Sequence, residues 1–156
     1  MSIAPIVQAV TVAVPPDRAF TLFTGSIGRW WKRGMTIGAK PHEEVVIEPR
    51  AGGRWFERDE DGAETDWGTV LAWEPPGRVL LGWQIDATFK HDPDLTTEVE
   101  VTFVPDGTGT RVTLTHRHLE RFGDSAERIA AQLGGGWPGL LHMYADLVAE
   151  DVDAGA

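Results

Sequence analysis

The feature that most constrains the fold is a series of short β-patterned segments at regular spacing, followed by one long amphipathic segment. Residues 43–48, 54–58, 66–73, 79–85, 97–104 and 110–116 each read as a strand. They are divided by Pro49, Gly52-Gly53, Asp61-Gly62, Glu74-Pro75-Pro76-Gly77 and Pro105-Asp106-Gly107, and by a loop over 86–95 that contains Pro93. Short strands joined by tight turns predict an antiparallel sheet. The alternation is clearest at Val99, Val101 and Phe103, and again at Val112, Leu114 and His116. It also puts Trp83 on one face with Val79, Leu81 and Ile85, and Trp67 on one face with Leu71 and Trp73.

An earlier strand is predicted from Val10, Val12 and Val14, stopped by Pro15-Pro16. Proline is tolerated in a first helical turn, so Pro15-Pro16-Asp17 opens a short helix that groups Ala19, Phe20 and Phe23. A second helical turn spans 27–31, before a Gly- and Lys-rich loop over 32–41. The last element is a helix over about 124–150, with Asp124 or Ser125 as its cap. Ile129, Ala130, Leu133, Trp137, Leu140, Leu141, Tyr144, Leu147 and Val148 form one apolar stripe about 140° wide. Gly134-Gly135-Gly136 and Pro138 interrupt it and could kink or split it, but the stripe stays in phase, which favours one bent helix. The expectation is an α+β fold of about seven strands wrapped on a long C-terminal helix. Residues 1–150 read as a single domain and 151–156 as a frayed acidic tail.

Composition narrows the function. The chain has no cysteine and no asparagine, which excludes disulfides, thiolate metal sites, thiol nucleophiles and N-glycosylation. A formal charge of −10 argues against nucleic acid and anionic membranes as partners. The apolar start has no basic residue before it, and no apolar run reaches the ~20 residues of a membrane span, so a cytoplasmic protein without membrane insertion is expected. Ser2, Ser26 and Ser125 sit in no nucleophile elbow, Gly107-Thr108-Gly109 is a hairpin turn, and Asp59-Glu60-Asp61-Gly62 lacks most of a calcium loop.

Four stretches carry a resemblance: "VTVAVPPDRAFTLFTGSIGRWW" (11–31), "IEPRAGGRWFERDEDGAETDWGTVLAWEPPGRVLLGWQI" (47–85), "TEVEVTFVPDGTGTRVTLTHRHLERFG" (97–123) and "GGWPGLLHMYADL" (135–147). Together they resemble proteins similar to the C-terminal domain of the activator of the heat-shock protein 90 ATPase. That family lies in the START-like, birch-pollen-allergen-like (SRPBCC) superfamily of helix-grip folds. The resemblance implies a cavity between helix and sheet for a small apolar or amphipathic ligand. It supplies no common catalytic motif.

Seven tryptophans against one tyrosine suit either a packed core or a pocket for a greasy ligand. Trp83, Val101, Phe103, Leu114, Trp137, Leu141 and Tyr144 are the expected pocket walls, Trp30 and Trp31 its lid or mouth, and His116 and Tyr144 its polar anchors. As a residue type in that place His116 reads first as a buried neutral histidine bonded to the helix, and with His118 it offers metal-like spacing that lacks a third ligand, so no metal or cofactor is assigned. Acid–base chemistry would need His116, Tyr144, Glu57 or Asp66 in the cavity, although Glu57 is expected on the solvent face. The reading is a carrier of a small hydrophobic molecule. The alternatives are a cyclase- or hydrolase-like enzyme and a co-chaperone-like interaction module. An edge strand could pair two copies into a homodimer.

Overall fold

The structure is a computed structural model that describes residues 3–32 and 35–154. Ser2, residues 33–34 of the 32–41 loop and the last two residues of the expected tail lie outside the described residues. The chain runs β1 (Ile6–Val12), α1 (Pro16–Gly25), α2 (Ile27–Trp30), β2 (His42–Ile47), β3 (Arg54–Asp59), β4 (Glu64–Glu74), β5 (Arg78–Trp83), β6 (Thr97–Asp106) and β7 (Gly109–Arg117). A 3₁₀ segment, Leu119–Ser125, then leads into α3 (Ala126–Ala154).

The seven strands form one antiparallel sheet in the order β1-β7-β6-β5-β4-β3-β2. It curls as a half-barrel against α3, and the α+β helix-grip architecture expected from the sequence is the architecture found. Every join from β2 to β7 is between sheet neighbours, so only β1 reaches the sheet by a crossover, carried by α1 and α2. At the β3–β4 turn Gly62 takes φ of 83°, the left-handed geometry that a tight hairpin asks of a glycine. At Gly68 a Cβ would lie 1.7 Å from the Gly82 carbonyl oxygen, so β4 and β5 can meet there only without a side chain.

The core lies between the concave sheet face, α1, α2 and α3. Val99, Val101 and Phe103 on β6 and Val112, Leu114 and His116 on β7 all point into it, as their alternation predicts. β4 departs from alternation. A register shift against β3 at Trp67, where Trp55 and Phe56 face Gly68 and Asp66, turns Val70 inward with Trp67, and a second against β5, between Val70 and Ala72, leaves Leu71 41% exposed. The extra residue of a bulge moves every later side chain by one position, so Trp67 and Leu71 do not share a face.

α3 is continuous across Gly134-Gly135-Gly136 and Pro138. It begins at Ala126 rather than 124, because the preceding turn is 3₁₀ and contains Gly123 at φ 66°. It also continues past Glu150 to Ala154, with Asp151 paired to Arg18 of α1 through Nε at 3.0 Å. Among the described residues no helix is long and apolar enough to cross a membrane.

Candidate functional site

Five of the seven indoles close into a ring beneath α3. Trp31 lies 5.0 Å from Trp67, Trp67 5.6 Å from Trp55, and Trp55 5.6 Å from Trp83, between ring centroids. Trp83 lies 5.7 Å from Trp137, which returns to Trp31 at 5.8 Å. The contacts are edge-on or tilted, the arrangements that aromatic quadrupoles favour. Each indole comes from a different element: the residue after α2, then β4, β3, β5 and α3.

One side of this ring opens into a cleft of two adjoining lobes, about 250 and 300 Å³. Both are lined by Trp31, Met35, Trp83, Ile85, Phe89 and Leu133. The first lobe runs along α3, where Ile129, Gln132, Gly136, Trp137 and Leu140 complete its wall with Asp86. The second turns toward Trp67, Thr36 and Ile37. The exposed side chains of Phe89 and Met35 stand at the mouth.

Two loops shape that mouth. Residues 86–90 form a tight turn in which Asp86 Oδ1 accepts from the Thr88 hydroxyl at 2.7 Å and from the amides of Thr88 and Lys90 at 2.8 and 3.1 Å. The Thr88 hydroxyl in particular holds the Asp86 carboxyl below its ordinary range. Phe89, at φ 62°, is the residue that this turn forces into the left-handed region. The other loop is pinned by Glu57 and Trp31. Glu57 Oε1 accepts from the amides of Ile37 and Gly38 at 2.7 and 3.2 Å and from Trp67 Nε1 at 2.8 Å, while its Oε2 accepts from the Thr36 hydroxyl. Trp31 Nε1 donates to the Met35 carbonyl at 3.1 Å.

Glu57 therefore faces inward, fully buried on the Trp55 face of β3, and corrects the solvent-face expectation. Three of the four donors that make its burial tolerable come from a loop about twenty residues upstream, which strand alternation does not reveal. It lines neither lobe, so its carboxylate positions the mouth loop rather than meeting the cleft. Asp66 points to the outer face, where Arg54 grips its Oδ1 through Nε and Nη2 at 3.0 and 2.7 Å. It is outside the site.

His116 is fully buried beneath Trp83 and Trp137. Trp137 Nε1 donates to its Nδ1 at 3.1 Å, and since an indole can only donate, the neutral ring carries its proton on Nε2. That N–H reaches Thr97 Oγ1 at 2.7 Å, and the Thr97 hydroxyl donates to the Trp83 carbonyl at 3.4 Å. The chain of bonds ties β5, β6 and β7 to α3. Burial lowers the His116 pKa to about 3. With both nitrogens engaged and no face on the cleft, His116 is the buried neutral histidine bonded to the helix.

Tyr144 is also internal. Its hydroxyl donates to the Ala19 carbonyl at 2.8 Å, its ring packs on Phe23 and Trp30, and burial raises its pKa. Trp30, Val101, Phe103, Leu114 and Leu141 are close-packed core and line neither lobe. Of the expected ligand residues, Trp31, Trp83 and Trp137 meet the cleft. The apolar stripe of α3 already pointed to Ile129, Leu133 and Leu140. Nothing periodic in the sequence marked Met35 or Phe89, which sit in loops. His118 falls beyond β7 beside Glu98 and Glu120, each 3.7 Å away, and no cluster of three metal-ligating side chains occurs among the described residues.

The Trp55 indole lacks such a bond: its Nε1 is buried with no acceptor among the described residues, behind Trp31, Trp67 and Trp83.

A curled sheet gripping one long helix, with an aromatic cleft between them, defines a START-like helix-grip protein. Residues 13–149 match the family described as activator of Hsp90 ATPase homolog 1-like protein, and the chain belongs to that family. Among solved structures it is similar to an anthrahydroquino-γ-pyrone synthase, Txn09, at 38% identity over 93% of this chain and 97% of that one, with a TM-score of 0.66. It is also similar to the self-sacrificing resistance protein CalC from Micromonospora echinospora, at 31% identity over 95% and 96%, TM-score 0.70. The Aha1 dimer from Colwellia psychrerythraea shares the fold at 15% identity over 94% and 96%, TM-score 0.65. No curated protein matches the chain.

Proposed function

We propose that the protein binds a planar, largely apolar aromatic molecule in the cleft, as a cytoplasmic ligand-binding protein. The observation that carries this reading is the cleft wall: Trp31, Trp67, Trp83 and Trp137 all border it, and its polar groups are few. Indole faces bind flat conjugated rings through dispersion and quadrupole contacts, and apolar surface removed from water adds about 25 cal/mol per Å². Gln132, Thr36 and Asp86 sit at the edges, where they can orient hydroxyl or carbonyl substituents. The likeness to a protein named as an anthrahydroquino-γ-pyrone synthase supports a fused-ring ligand.

That same likeness favours a second reading, a ring-forming enzyme acting on such a molecule. The carboxylate on the cleft, Asp86, would then serve as a hydrogen-bond acceptor for a phenolic substituent, because its lowered pKa suits an acceptor rather than a proton donor. His116 has no part in either reading. The outer edge of β1 is the basis for proposing that two copies could associate.

Native mass spectrometry of the protein with 1,8-dihydroxyanthraquinone tests the proposal. A 1:1 complex that Trp83→Ala weakens is expected. A wild-type protein that carries no ligand and takes up no probe contradicts it. Turnover of a co-purified ligand, lost on Asp86→Asn, would favour the enzyme.

A further inference from the structure

The wall that α3 gives the cleft has one gap. The helix faces the first lobe with Ile129, Gln132, Leu133, Gly136, Trp137 and Leu140, spaced i, i+3, i+4, i+7, i+8 and i+11. Each position carries a side chain except Gly136. Nothing in the fold requires glycine there. Its φ is not in the left-handed region, and a Cβ would meet only Met35 Cε, at 4.0 Å. Glycine inside a helix is destabilising relative to alanine. The usual compensation for such a cost is close approach of another group to the bare backbone. Gly136 lies between Leu133 and Leu140, on the wall that bears Trp137, and Trp83 and Phe89 line the same lobe.

We propose that Gly136 is the size-determining position of the cleft, a notch in α3 that lets a ligand of three or more fused rings lie against helix backbone. The inference rests on the cleft being the ligand site. It goes further by naming the residue that separates a fused tricyclic ligand from a smaller one. Gly134, Gly135 and Gly139 supply the contrast. A Cβ at any of them meets nothing within 4 Å, and none lines the cleft. They weaken the helix as Gly136 does without touching the site.

The test uses the full chain and its Gly136→Ala, Gly136→Leu and Gly135→Ala variants. Tryptophan quenching gives Kd for 1,8-dihydroxyanthraquinone and for the bicyclic 2-naphthol, and thermal unfolding reports the fold. Gly136→Ala is expected to bind the tricyclic probe about tenfold more weakly, the effect of one methyl group in a fitted pocket. Its affinity for 2-naphthol should change less, and its unfolding temperature should rise. Gly136→Leu should abolish tricyclic binding. Gly135→Ala should also unfold at a higher temperature, with both Kd values unchanged. Wild-type affinity in a folded Gly136→Ala overturns the inference while leaving the cleft reading intact. So does equal weakening by Gly135→Ala, which would assign the glycines to helix flexibility. A wild-type protein that binds neither probe overturns the cleft reading, and the notch with it. Should Gly136→Leu fail to fold, Gly136→Ala with the two probes decides.

Discussion

Two buried polar residues shape the site without touching its cleft. Glu57 gathers a hydroxyl, two amides and an indole N–H in a setting with almost no solvent exposure. Hydrogen bonds to a charged acceptor are each worth about 1.5–3 kcal/mol, and a donor left facing another donor loses more. Glu57→Gln can keep the three N–H donors on its amide oxygen and donate its NH₂ to the Thr36 hydroxyl, but every bond it accepts then goes to a neutral oxygen and loses charge assistance. It is expected to lose about 2 kcal/mol of stability, read as a lower urea midpoint at unchanged m-value, and to speed hydrogen exchange at Ile37 and Gly38. His116 acts through pH. Its pKa falls from 6.5 to about 3 on folding, because burial penalises the imidazolium. The unfolded chain therefore takes up a proton below pH 6.5 that the folded protein refuses. The associated stability is fully present above pH 6.5 and is lost as pH falls toward 3. Between pH 7 and 5 this one residue should cost about 2 kcal/mol, at about 1.4 kcal/mol per pH unit below 6.5. His116→Gln removes that part of the slope, so urea denaturation of both proteins at pH 7 and 5 should give a smaller acid loss for the variant. Equal losses would assign the acid sensitivity to carboxylates instead.

Among the elements, those with a clear repeat were legible in the sequence. β6 and β7 alternate without a bulge against one another, and the inward residues are the ones their pattern names. The stripe of α3 stayed in phase across its glycines, and the helix is unbroken. The misreadings have local causes. A bulge in β4 separated Leu71 from Trp67, and the loop folding over β3 supplied Glu57 with partners that no strand pattern encodes. The mouth is built from the least periodic segments, which is why Phe89 and Met35 were invisible. The 86–90 turn carries its own prediction. A bulky side chain at positive φ is strained by roughly 1 kcal/mol or more, and strain of this kind is kept where a side chain must be presented. Phe89→Gly should be more stable than Phe89→Ala by about 1 kcal/mol, and both should bind an anthraquinone probe more weakly than wild type. Equal stability of the two variants would mean that the turn relaxes once the ring is gone.

At the scale of the whole molecule, the fold supplies a rigid aromatic frame and two loops supply the opening. The frame is a ring of five tryptophans drawn from five separate elements, cross-linked to the sheet through Trp137, His116 and Thr97. Trp73 stands apart from it, packed against Phe20 near α1, and Trp30 packs on Phe23 behind ring member Trp31, 5.7 Å away between centroids. The seven indoles are thus seven reporters on one molecule. The most direct measurement is a ¹H–¹⁵N spectrum of the indole N–H groups during titration with 1,8-dihydroxyanthraquinone. Shifts at Trp31, Trp67, Trp83 and Trp137 that saturate together, with Trp73 unmoved, are the predicted result. Shifts confined to Trp30 and Trp73, or none at saturating probe, would contradict the cleft as the ligand site.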